Sequence, residues 1–300
     1  MHTFLRSIGF SDDKLTEYDV EELLDDISGH YDHMESVLED SRAASYLELT
    51  RSVGPDLGIK VCGEMDGRGF HRTTYFPALR GKGITSGESI AIQRGTDGAS
   101  YLGTCEDGRC AAPIIFHVQN PGDYRREMKL GRLDSALMET TFSALALSGM
   151  IILPVETDEA GKKEREDWHA RRAEVVSAAK KGDPDAVRSL TFQDLELYEM
   201  IQRRSSDEDI LSIVETSLVP YGMESTLYRM MATILETEIV TNVITGENVW
   251  KMKVECNGLE FMLCISEHDL VGEPARGRRF RGTVWLQGGL HFQFPTAVAG

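Results

Sequence analysis

The chain has 300 residues, 41% of them hydrophobic and 27% charged, and a formal net charge of −17. That balance excludes a disordered or fibrous chain, and the length exceeds what one ordinary core needs, which predicts about two domains. The acid surplus repels phosphate backbones and so disfavours nucleic acid as a partner.

In chain order, the first fifty residues predict two helices. Leu15, Tyr18, Val20, Leu23, Leu24 and Ile27 recur at helical spacing and stop at Ser28-Gly29; Met34, Val37, Leu38, Tyr46 and Leu49 form a second set that ends before Gly54-Pro55. From Leu57 the punctuation changes to Asp66-Gly67, Asp97-Gly98 and Asp107-Gly108, dipeptides that supply the positive φ of tight hairpins. They predict an antiparallel meander over 57–64, 70–78, 89–94, 100–106 and 109–119. Residues 142–147 and 150–155 read as a further pair around Ser148-Gly149.

The charge run from Glu156 to Asp167 marks a boundary, and helices are expected at 163–181, from Asp183-Pro184, at 195–204 and at 210–219. From Leu227 the pattern is β again. One long curved strand, a Thr245-Gly246 turn and an Asn257-Gly258 hairpin are followed by strands at 280–286 and 290–294. Five strands in about seventy residues predict a small closed barrel resembling the oligonucleotide-binding (OB) type. The expected fold class is therefore α+β: helices plus an antiparallel meander in residues 1–157, a helical segment in 158–222, and an OB-like barrel in 223–300.

The opening MHTFLRSIGF, the stretch LTFQDLELYEMIQRR, the joint VETSLVPYGME and the ending VECNGLEF with GRRFRGTVWLQGGLHF resemble a bacterial family of clostridial type, catalogued as a domain of unknown function. The resemblance runs from residue 1 to about residue 294. It implies a cytoplasmic bacterial protein and transfers no catalytic residue.

Several groups are candidates for chemistry. Cys105 and Cys110 flank Asp107-Gly108 and would face each other across a two-residue hairpin, as a redox pair or half a zinc site, or as two small side chains filling a sheet face. His30 and His33 would share a helix face as metal ligands do, although no glutamate base accompanies them, and no metal or cofactor is expected. His71 and His117 lie in predicted strands and become interesting if they face each other. The five cysteines and the absence of a signal-like N-terminus or an apolar run of membrane length predict reduced thiols, a cytoplasmic location and no membrane contact. No nucleophile elbow or phosphate loop is present in the sequence.

The arginines Arg276, Arg278, Arg279 and Arg281 lead into Trp285 in a C-terminal part that is nearly neutral, with 9 acids and 7 bases from Glu224 to Gly300. Alternation places Arg279, Arg281 and Trp285 together on an outward face, opposite Phe280, Val284 and Leu286. A single strand of nucleic acid could stack there, but one aromatic among several cations is a thin platform. The leading expectation is a non-enzymatic interaction or regulatory protein that contacts another protein through this edge. The alternatives are nucleic-acid binding by the barrel and a metal-dependent hydrolase using His30, His33, His71 or His117.

Overall fold

The computed structural model describes residues 2–11, 16–39, 44–96, 98–110, 112–154, 216–222 and 226–294, with single positions 175, 178, 183 and 185 between them. Among these residues strands predominate, in two sheets of four and ten strands. The α+β expectation is corrected to a largely β architecture. The helices expected between 163 and 219 fall almost wholly outside the described residues.

A short 3-10 helix, Thr3–Ile8, is followed by α1 (Glu17–Gly29). Thr16 and Asp19 close a reciprocal capping box at the start of α1, and Val20, Leu24 and Ile27 bury one face of it. The second expected helix is instead a pair of strands, β1 (His33–Glu39) and β2 (Ala44–Gly54). Both faces of β2 are covered for much of its length, so its apolar residues lose the clean alternation of a half-exposed strand and imitate a helical spacing. Strands β3 (Leu57–Asp66) and β4 (Gly69–Leu79) complete an antiparallel sheet in the order β1-β2-β3-β4.

The larger sheet begins with β5 (Ile90–Arg94), β6 (Tyr101–Cys105) and β7 (Ile114–Val118), passes through α2 (Pro121–Lys129), and continues with β8 (Leu137–Ile152). After β9 (Ser217–Pro220) come β10 (Leu227–Thr241), β11 (Asn248–Cys256), β12 (Leu259–Ser266), the two-residue β13 (Leu270–Val271) and β14 (Arg279–Gln293). Asn257 and Gly258 both take positive φ, 53° and 77°, as the primed turn between β11 and β12 requires.

The pairings of the C-terminal strands overturn the expected self-contained OB-like barrel. β10, β11 and β12 form a meander and β14 returns beside β10, but the ring is closed by β8, parallel to β12 and antiparallel to β14. The expected pair at 142–155 is one continuous strand, and so are the two expected at 280–294. Ser148-Gly149 does not turn the chain, because Gly149 lies opposite Gly282 and the Phe280 ring fills the space both leave open. A Cβ on Gly149 would lie 2.3 Å from that ring.

Two apolar clusters follow from this layout. One gathers alternate residues of the ring, such as Phe142 and Ala144 of β8, Leu263 and Ile265 of β12, and Phe280 and Leu286 of β14, with Phe116 of β7. The other joins the 3-10 helix, α1 and the four-stranded sheet to Leu145, Met262, Cys264 and Trp285 on the opposite side of the ring strands. The small sheet therefore packs on the larger one, and the cleft described next lies where their polar ends meet.

Candidate functional site

A cleft of about 490 Å³ is lined by β1 to β4 on one side and by β8, β14 and the start of α2 on the other. Register places its first wall. Glu35 lies opposite Glu48, Thr50 opposite Lys60, and Gly58 opposite Ala78, so these side chains share one face of the small sheet. Thr141 and His291 form part of the second wall, His291 Nε2 lying 2.8 Å from Thr141 Oγ1.

Charged groups in the cleft are mostly committed to one another. The buried Glu48 carboxylate accepts from Lys60 Nζ and, at 3.0 Å, from the Gly122 N–H in the first turn of α2. Glu35 accepts from Arg126 at 2.6 Å, and Arg126 also pairs with Asp123. Asp56, in the β2–β3 turn with φ 64°, binds Lys251 at 3.0 Å and Lys82 at 3.3 Å. Burial opposes the Asp56 charge, but Lys251 and Lys82 outweigh it and hold the carboxyl below its ordinary range. Burial likewise works against the Lys251 charge, and Glu238 and Asp56 together raise that ammonium above its usual value.

Two charges stay less committed. Asp32 Oδ2 accepts from the Ser52 N–H at 2.6 Å, which holds the carboxyl below its usual range, while its other oxygen is 3.9 Å from Arg51. Arg80 follows β4; its own N–H donates to Asp56 O at 2.8 Å, but among the described residues no carboxylate pairs with its exposed guanidinium. The segment carrying it is held on both sides. Lys82 reaches Asp56, Thr141 donates to Gly83 O, and a Cβ on Gly81 would meet the Thr141 methyl at 2.4 Å.

The residues singled out from the sequence are not brought together here. Arg276 and Arg281 are exposed, and Arg278 donates to Glu273 O at 2.6 Å. Arg279 is buried, its Nε donating to Leu153 O at 2.9 Å. Trp285 does point away from the ring interior, but into the second apolar cluster. Its ring lies 4.9 Å from His2, 5.3 Å from Phe4 and 4.9 Å from His117, and its Nε1 donates to Thr226 Oγ1. The part of that outward face around Trp285 is thus covered by the 3-10 helix and the small sheet, while Arg281 stays exposed.

His30 ends α1 and pairs with Asp26, whereas His33 belongs to β1 and lies 3.4 Å from Glu35. His71 is exposed beside Asp66; His117 is buried in the other sheet, with its ring 4.5 Å from that of Phe76. Among the described residues no group of three or more His, Cys, Asp or Glu is arranged to hold a metal.

Cys105 and Cys110 do not face each other either. Asp107-Gly108 lies in a longer loop, and Cys105 pairs with Ile114. The loop is organised by Asp107, which accepts from Ser86 Oγ at 2.6 Å and from Arg109 at 2.6–3.0 Å. Cys256 and Cys264 lie opposite Leu259 and Lys251.

Arg80, Lys60, Glu48 and Asp32 escaped the sequence reading. The available signal was a charge inside an apolar strand: Lys60 in LGIKVC and Glu48 in YLELT, which the β2–β3 hairpin brings into diagonal contact.

A family model described as "Domain of unknown function, E. rectale Gene description (DUF3881)" matches residues 5–288. No curated protein and no solved structure matches the chain. No helix among the described residues is long and apolar enough to cross a membrane.

Proposed function

We propose, for a chain that belongs to the DUF3881 family, that it is a binding protein whose cleft between the two sheets takes a small solute bearing an anionic group, with Arg80 as the anchor. The observation that carries this reading is the Arg80 guanidinium, without a carboxylate partner among the described residues, at the edge of a 490 Å³ cleft whose neighbouring charges, Asp32 apart, are already paired. A guanidinium offers five donors in a planar fork suited to carboxylate or phosphate. The cleft volume suits a small molecule, and the carboxylates around it repel a polyanion.

The glycine-rich floor supports the same reading. Gly58 and Gly289 line the cleft, with Ala78 beside them, so the space between the walls is not filled by side chains. The Glu48–Lys60 pair, buried at Glu48 and half-buried at Lys60, contributes little net stability after desolvation, and its cost is consistent with a preorganised polar surface.

The test is a thermal-shift screen of small carboxylates, sulfonates and phosphates against the protein and its Arg80→Gln variant. A solute present at a hundredfold its Kd stabilises the folded state by about 2.7 kcal/mol, a shift of several degrees. The reading expects at least one anion to give such a shift in the wild type and none in the variant. Equal shifts in both proteins, or no shift with any anion, would overturn it.

A further inference from the structure

The pairing of charges in this cleft defines the ligand more narrowly than its anionic end. Of the carboxylates lining it, Glu48 is taken by Lys60, Glu35 and Asp123 by Arg126, and Asp56 by Lys82 and Lys251. The remaining cleft-lining charges are one cation and one anion, Arg80 and Asp32. Asp32 spends one oxygen on the Ser52 N–H, and its nearest cation, Arg51, stands 3.9 Å away and donates to His30 O.

Resting on the reading above, we propose that the cleft binds a small zwitterion of amino-acid type, its carboxylate on Arg80 and its ammonium on Asp32. A simple anion would satisfy Arg80 while leaving the weakly paired Asp32 charge on the same cleft to repel it. A cation would have the reverse difficulty. A solute carrying both charges completes both residues at once and leaves the neighbouring ion pairs undisturbed.

The supporting geometry is local and rigid at both ends. Arg80 is presented by a segment tied through its own N–H to Asp56 and through Gly83 to Thr141. Asp32 is tied to β2 both by its side chain and by its N–H, which donates to Thr50 O at 2.8 Å. Two charges presented from the opposite edges of the small sheet, beside β1 and after β4, favour one spacing between the ligand's ammonium and carboxylate.

Titration calorimetry tests this with glycine, β-alanine, 4-aminobutyrate, 6-aminohexanoate and the common L-amino acids. Each binder is compared with its desamino acid and its decarboxylated amine, neither of which adds bulk. The proposal expects one spacing to bind best, with at least a tenfold loss on removing either charged group. Arg80→Gln should erase the difference between the binder and its amine, and Asp32→Asn the difference between the binder and its desamino acid. If the desamino acid binds as well as the amino acid, and does so through Arg80, the zwitterion is overturned while the anion-binding reading survives. If no carboxylate binds, the zwitterion falls; if no sulfonate or phosphate binds either, the anion-binding reading falls with it. Should Asp32→Asn fail to fold, the wild-type comparison of amino and desamino acids decides the question by itself.

Discussion

Replacing Trp285 with alanine separates the two roles that its position allows. As an exposed stacking surface its loss would leave stability within about 0.5 kcal/mol. In the structure the side chain is buried, 6% exposed, between the 3-10 helix, β4 and β7. Truncating a buried aromatic to alanine costs about 3–5 kcal/mol, and the value depends on how far the surroundings collapse into the space. Collapse is limited here, because His2, Phe4, Phe76 and His117 are rings attached to three different elements. The lost hydrogen bond to Thr226 adds little, since that hydroxyl is only part-buried and water can replace the donor. We therefore expect a loss in the upper half of that range. Equilibrium urea unfolding followed by far-UV circular dichroism measures it without depending on the fluorophore removed. A loss below about 1 kcal/mol would refute the packing argument and restore Trp285 to the surface.

Arg279→Gln should destabilise by about 1–3 kcal/mol, because it strips the guanidinium from a buried site and its bond to Leu153 O, whereas Arg281→Gln should stay within about 0.5 kcal/mol; paired urea melts distinguish them. Gly103→Ala would bring a methyl within 2.1 Å of the Phe116 ring, which Gly288 also hems in, and overpacking of this kind costs about 1–3 kcal/mol in the same assay. Burial raises the pKa of Asp107, but bonds from Arg109 and Ser86 outweigh it and leave the carboxyl below its ordinary value. Its contribution is therefore present above the unfolded pKa, about 3.9, and is lost as pH falls through the lower folded value. Asp107→Asn should lower the urea midpoint at pH 7 and flatten the fall of that midpoint on acidification below about pH 4; an unchanged acid slope would count against the ionised Asp107.

Hairpins were the most legible part of the sequence. Asn257-Gly258 announces β11–β12 because both residues take positive φ, and Asp66-Gly67 marks the β3–β4 hairpin although the positive φ there falls on Gly69. What failed was partnership at long range. Nothing near Ser148-Gly149 distinguishes a turn from a strand crossing over Phe280, since the aromatic that needs those glycines lies 131 positions away. Alternation around Trp285 sorted the two faces correctly, yet it carried no information about what covers the outer one. The candidate site was hidden for a related reason. Lys60 and Glu48 are ordinary charges until the register sets them diagonally across β2 and β3 and packing buries Glu48 and half-buries Lys60.

The same contrast explains how the cleft is built. Its first wall is made from β1 to β4, strands that are neighbours both in sequence and in the sheet, so its polar face can be specified by local pairing alone. Its second wall is not local. Thr141 and His291 stand on β8 and β14, strands that meet only when the ring closes through a ladder running from Leu137↔Gln293 to Ile152↔Arg279. Loop entropy for such a closure grows only slowly with separation, so a long ladder with a packed interior can offset it. The apolar ring therefore does more than form a core. It holds Thr141, and through Thr141 the Gly83 carbonyl and the segment that presents Arg80, against the small sheet. The backbone that carries Arg80 is thus set by contacts to both sheets, while among the described residues no carboxylate pairs with its exposed guanidinium.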